Sequence, residues 1–176
     1  YLIREYERHL QDFTAEAIDL GTHSTAEDAA KPQEVRALPW QKIAKNHWQV
    51  DLGQVEVGSG ETIRISYRLF ANELTVRTNH LDASHAYFNG AAMFLYVDGG
   101  LTWPAELTID LPNDVWQVAT ALPLVRGAGR SWTFVAQNFD ELVDSPFEIG
   151  CHALYTFEAA GRSHELAVWG QGNLAI

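Results

Sequence analysis

From residue 61 to residue 69 the chain alternates without a break. Ile63, Ile65, Tyr67 and Leu69 fall on one set of positions, and Thr62, Arg64, Ser66 and Arg68 on the other. A period of two sends the two sets to opposite faces of an extended strand, a pattern that no helix can offer to one core. The same alternation predicts strands at 74–78 and 105–111, the latter with Leu107, Ile109 and Leu111 inward. Residues 91–97 are continuously apolar, which predicts a strand covered on both faces. Shorter runs at 115–119, 132–136, 151–158 and 164–169 complete the set.

Turn chemistry separates these runs. Val-Gly-Ser-Gly at 57–60 and Ala-Ala-Gly-Arg at 159–162 read as hairpin connections, and Asp-Gly-Gly at 98–100 and Pro-Asn-Asp at 112–114 as tight turns. Short strands spaced by turns predict an all-β fold, a sandwich or a saddle-like pair of antiparallel sheets. The start of the chain differs. Leu2, Tyr6, Leu10 and Phe13 sit near helical spacing, which predicts a short N-terminal helix over 3–9. Residues 10–18 also alternate, so an extended strand there is an equal alternative. Residues 21–37 are small, polar and acidic and read as a loop or insertion. Residues 39–51 regain strand character, with Trp40, Trp48 and Val50 as anchors.

The 176 residues fit a single β-rich domain. A chain of that length buries about 70% of its unfolded surface. With 47% hydrophobic and 20% charged residues the composition is globular. A net charge of −11 argues against nucleic acid, whose phosphates need a basic footprint, and against an anionic membrane surface. No apolar run approaches the roughly 20 residues of a membrane-spanning helix. Cys151 is the only cysteine, which excludes an internal disulfide. Its strand-like setting predicts a small buried hydrophobe. The compartment is left open, with the cytoplasm slightly favoured over the periplasm.

Four groupings can carry chemistry. His-Glu-Leu-Ala-Val at 164–168 approaches H-E-x-x-H, in which two histidines one helical turn apart hold zinc and the glutamate acts as base. Val168 replaces the second histidine and the surroundings read as a strand, so no catalytic zinc is expected there. His80, Asp82 and His85 share a loop-like segment, but three donors are short of a full ligand set, and no metal ligand is assigned in this chain. Asp140, Glu141, Asp144 and Glu148 crowd four carboxylates into nine residues, suited to building turns or attracting an amine. The six tryptophans suit core packing or, less commonly, stacking on a sugar face. Ser84 adjoins His85, yet adjacency is not triad geometry, and no nucleophile is assigned.

Two phrases carry a resemblance. One is Arg-Thr-Asn-His-Leu-Asp-Ala-Ser-His-Ala-Tyr-Phe-Asn-Gly at 77–90. The other is Phe-Asp-Glu-Leu-Val-Asp-Ser-Pro-Phe-Glu-Ile-Gly at 139–150. With residues 1–10, 46–50, 67–97 and 116–122 in collinear order, they resemble the N-terminal domain of the glycyl aminopeptidase family of zinc peptidases. The resemblance implies a non-catalytic, β-rich domain ahead of a thermolysin-like zinc domain, with a PDZ-like domain beyond. It implies removal of N-terminal Gly and Ala by the whole enzyme, with zinc held in the downstream catalytic domain and no cofactor in this chain.

On that basis Asn89, Tyr87, Phe88 and His85 are the substrate-cleft candidates. Asp140, Glu141, Asp144 and Glu148 are candidates for an interdomain contact or an amine attractor. The implied partners are the catalytic domain and a peptide substrate. The family phrase is already under way at Tyr1, so initial strands are expected to be missing, and the open sheet edge predicts a homo-oligomer. The alternative from another class is a stand-alone β-sandwich module that binds a glycan or peptide.

Overall fold

The computed structural model describes residues 9–19, 35–53, 55, 61–170 and 172. The fold is all-β and antiparallel throughout. The backbone forms two compact units, with the boundary after Phe70.

In the first unit, β1 (Leu10–Asp19) lies between β2 (Val35–Ala37) and β5 (Glu61–Leu69). The alternation of β5 is realised, with Ile63, Ile65, Tyr67 and Leu69 half-buried and the intervening residues exposed. Its inward residues meet β1, whose Ala15 opposes Ile65 and Ala17 opposes Ile63. The outer faces pair charges across the strands, Arg64 with Glu16 and Arg68 with Asp12. The hairpin β3 (Trp40–Ala44) and β4 (His47–Val50) supplies two of the expected anchors. The Phe13 ring lies 4.8 Å from Trp40, edge to face, and 5.7 Å from Trp48, stacked.

The second unit holds β6 (His80–Leu81), β7 (His85–Phe88), β8 (Ala105–Asp110) and β9 (Gln117–Ala119). It continues with β10 (Leu124–Ala128), β11 (Ser131–Ala136), the single α-helix among the described residues, α1 (Phe139–Asp144), and β12 (Phe147–Gly150). The hairpin β13 (Ala153–Ala159) and β14 (Arg162–Val168) closes it. Strands run β10-β11-β8 in one sheet and β6-β7-β12-β9 in another. Leu111, Trp116, Leu122, Phe134, Phe139, Leu142 and Phe147 are buried in a common cluster with the inner face of the four-stranded sheet. At the β13–β14 turn, Ala160 and Gly161 both take positive φ (52° and 73°), the geometry of a tight two-residue hairpin.

Several expectations change. Residues 74–78 are not a strand. Their threonines bond locally instead, Thr78 Oγ1 donating to the Glu73 carbonyl at 2.6 Å and meeting Thr75 Oγ1 at 2.7 Å, so the backbone turns. Leu74 and Val76 are left exposed at 57% and 76%. Residues 91–97 are not a strand either. They begin in a 3-10 turn, Gly90–Ala92, which Asn89 caps. A β carbon on Gly90 would come within 2.9 Å of the Val143 backbone, so glycine is what lets this turn sit against α1. Val35–Ala37, the end of the expected loop, is paired strand. Cys151 is exposed rather than buried, its Sγ 3.7 Å from the Val115 carbonyl. At the start, 10–19 is extended. The helix expected at 3–9 falls, apart from His9, outside the described residues, as do the turn at 57–60 and most of the loop at 21–37.

Candidate functional site

The register of the four-stranded sheet sorts its residues. His80 opposes Tyr87, Tyr87 opposes Glu148, and Glu148 opposes Ala119. Directly opposed residues share a face, and positions two apart on a strand return to it. His80, His85, Tyr87, Glu148 and Gln117 therefore line one face. Ala86, Phe88, Phe147, Ile149 and Val118 line the other and join the core. Phe88 and Phe147 stack there at 4.5 Å between ring centres.

A three-residue loop, 82–84, joins β6 to β7 and is built by Asp82. Its Oδ1 accepts from the Ser84 amide (2.7 Å), the Ser84 hydroxyl (2.6 Å) and the His85 amide (3.1 Å). Those donations, the Ser84 hydroxyl first, hold the carboxyl well below the ordinary carboxylate range. Its Oδ2 lies 3.2 Å from His80 Nε2. His85 Nδ1 is 3.7 Å from Oδ1. One ligand atom from each of His80, Asp82 and His85 lies within 4.8 Å of the other two.

His85 is fixed on both sides. Its side chain is 2% exposed, and its ring stacks on Trp169 at 3.6 Å and 14°. Across the ladder it opposes Gly150, where a β carbon would come within 2.9 Å of the His85 β carbon. Burial pulls the His85 pKa down and the neighbouring His80 adds to this, while Asp82 acts the other way. Glu148 is pushed up by burial against a smaller opposing effect of His80, and Tyr87 is raised by burial and by the charge of Glu148. Two buried atoms on this face, His80 Nδ1 and Glu148 Oε1, have no hydrogen-bond partner.

The candidates drawn from sequence are thus separated. His85, Tyr87 and Glu148 come together on the polar face. Phe88 points into the core and is 7% exposed. Asn89 serves its own loop, accepting from the Ala91 amide at 3.1 Å and donating to the Val76 carbonyl at 3.4 Å. Asp140, Glu141 and Asp144 lie on α1, not in a loop. There Asn138 caps the Glu141 amide at 2.9 Å, and the Glu141 carboxylate accepts from the Gln137 amide at 2.6 Å. Asp82, grouped with His80 and His85 in the sequence but assigned no role, joins the site. Trp169 joins it too and reaches His85 only through the fold. The 164–168 stretch lies on β14 as expected, with His164 stacked on Phe157 at 5.2 Å.

The second unit is a β-rich scaffold whose four-stranded sheet carries one polar face. Residues 1–151 match the family model Peptidase M61 N-terminal domain, and the chain belongs to that family. It is also similar to a crystal structure described as an aminopeptidase N family protein from Idiomarina loihiensis. The TM-score is 0.76 at 32% identity, over 97% of this chain and 26% of that one. No curated protein matches.

Proposed function

We propose that this chain is the non-catalytic N-terminal domain of a zinc-dependent aminopeptidase that removes N-terminal Gly and Ala. It packs on the catalytic domain of the same chain and shapes the cleft for the peptide's amino end. The observation that carries this reading is the family match over 1–151, with the aminopeptidase likeness over 97% of the chain beside it. The 164–168 stretch does not fit the peptidase zinc. The nearest approach to its motif has Val168 in place of a histidine and lies on a strand, where two ligands cannot share a helical face. Zinc and base therefore belong downstream in this reading.

Of the cleft candidates, Tyr87 and His85 present polar groups on one face, beside Glu148 from the amine-attracting set, and Asn89 acts by holding the loop that follows β7. The exposed acids Asp140 and Asp144 suit an interdomain contact. A second copy is the other partner of this reading, docking on the edge of β5 that has no ladder partner among the described residues.

The test compares Gly- and Ala-anilide hydrolysis by the full-length peptidase and by the 176-residue chain. Zinc-dependent turnover is expected only from the former; turnover by the chain alone would sink the proposal. In the full-length enzyme, Asn89→Ala is expected to lower kcat/KM by about tenfold through loss of one hydrogen-bonding side chain.

A further inference from the structure

We propose that His80, Asp82 and His85 form a site for a divalent transition-metal cation of the zinc class, with Glu148 positioning His80 from behind. This departs from the expectation of no metal ligand, and it stands independently of the peptidase reading. Two imidazoles and a carboxylate suit Zn, Co, Ni or Cu, whereas Mg and Ca take oxygen donors.

The loop leaves the donors available. Asp82 Oδ1 is occupied by three donors from Ser84 and His85, but Oδ2 faces His80 Nε2 at 3.2 Å. Tetrahedral zinc with bonds of about 2.1 Å sets donors about 3.4 Å apart. One pair, at 3.2 Å, is already close to that spacing, and the widest lies within 4.8 Å. Three protein ligands leave a fourth position open for water or an incoming group. An Asx turn by itself requires none of this. It uses Asp82, Ser84 and the His85 amide, and has no need of His80 or of an imidazole held against Trp169 at 3.6 Å.

The unpartnered atoms point the same way. When His80 Nε2 donates to Asp82, Nδ1 is a bare lone pair with no donor, and Glu148 Oε1 is a buried acceptor with none either. When Nε2 instead gives its lone pair to a cation, the proton sits on Nδ1 and needs an acceptor. Glu148 lies on the same face, one strand beyond Tyr87 from His80, and supplies one through a bridging water. A carboxylate behind a ligating histidine is the usual way such a ring is oriented.

The experiment titrates Zn²⁺ and Co²⁺ into the tag-free, 176-residue chain carrying Cys151→Ser, because the exposed thiol is a competing ligand. One equivalent is expected to bind, with visible absorption of tetrahedral strength in the Co²⁺ form. His80→Ala abolishes it. Asp82→Asn also abolishes it while keeping the Oδ1 that builds the turn, so thermal melting stays close to the parent. Glu148→Gln weakens binding by roughly 10–100-fold and shifts the Co²⁺ spectrum. Mg²⁺ and Ca²⁺ do not compete. Absence of stoichiometric binding, or binding that survives both His80→Ala and Asp82→Asn, overturns the proposal.

Discussion

On one face of the β6-β7-β12-β9 sheet, Phe88, Phe147 and Ile149 are 7%, 0% and 5% exposed and pack against Phe134 and Trp116. On the other, His80, Tyr87 and Glu148 are only half-buried, and two of their polar atoms lack partners. The same four strands carry both, so the backbone does not explain the difference. It follows from side-chain parity alone. The apolar face lowers the free energy of the fold by removing carbon from water. The polar face holds desolvated groups at a cost that a core would not tolerate. Stability should therefore be read mainly on the first face and ligand chemistry on the second.

The largest effect is expected where that division is sharpest. Phe147→Ala empties the centre of the apolar face and should cost about 3–5 kcal/mol in denaturant unfolding. Its ring touches both Phe88 and Phe134, so little can collapse into the space. A loss below about 1 kcal/mol would contradict the assignment of the core.

Gly150→Ala probes the point where backbone meets the polar face. Gly150 has φ of 155°, and an added β carbon would come within 2.9 Å of His85 Cβ and 3.2 Å of the Ser84 carbonyl. Neither neighbour is the tip of a flexible chain. A cost of roughly 1–3 kcal/mol is expected. If His85 must move to admit the methyl, the stacking on Trp169 moves with it, and tryptophan emission should change together with the melting temperature. A wild-type-like variant would show that His85 is not held by the ladder.

How far the sequence foretold this follows the same division. Alternation revealed β5 and β8 because their apolar residues recur every second position and turn inward. The identical pattern at 74–78 misled, because threonine hydroxyls close a turn there and nothing covers Leu74 or Val76. The apolar run 91–97 was ambiguous in principle, since continuity marks burial and not conformation. α1 carried a legible signal, Asn138 followed three residues later by Glu141, which was read as turn-building acidity. β10 was not legible, as all five of its residues are exposed and no face is selected. At the candidate site, His80, Asp82 and His85 are near in sequence and could be weighed together. Glu148, Gly150 and Trp169 enter only through strand register and the returning hairpin, which a linear pattern does not encode.

Smaller effects are expected from titration. Burial raises the Glu148 pKa above its ordinary 4.5, so the folded state binds the proton more tightly than the unfolded one. Its stabilising contribution is complete below 4.5 and is lost as pH rises through the elevated folded value. Glu148→Gln should remove that loss, leaving a variant at least as stable as the parent at neutral pH when both melt in the presence of a chelator. A variant clearly less stable at neutral pH would mean that the ionised carboxylate is well satisfied, against its unpartnered Oε1.

His152 should show the opposite sign on the acid side. It is 5% exposed, its Nδ1 has no partner, and burial lowers its pKa below the ordinary 6.5. The unfolded chain then binds the proton more readily. Stability is complete above 6.5 and falls as pH drops from there toward the depressed folded value. His152→Gln keeps a polar side chain and deletes the proton site, so the slope of stability against pH in that window should flatten. The carbonyl of residue 152, which accepts from Gln117 Nε2 at 2.6 Å, is untouched by the change. An unchanged slope would assign the acid-side loss to another group and show that His152 is hydrated in solution.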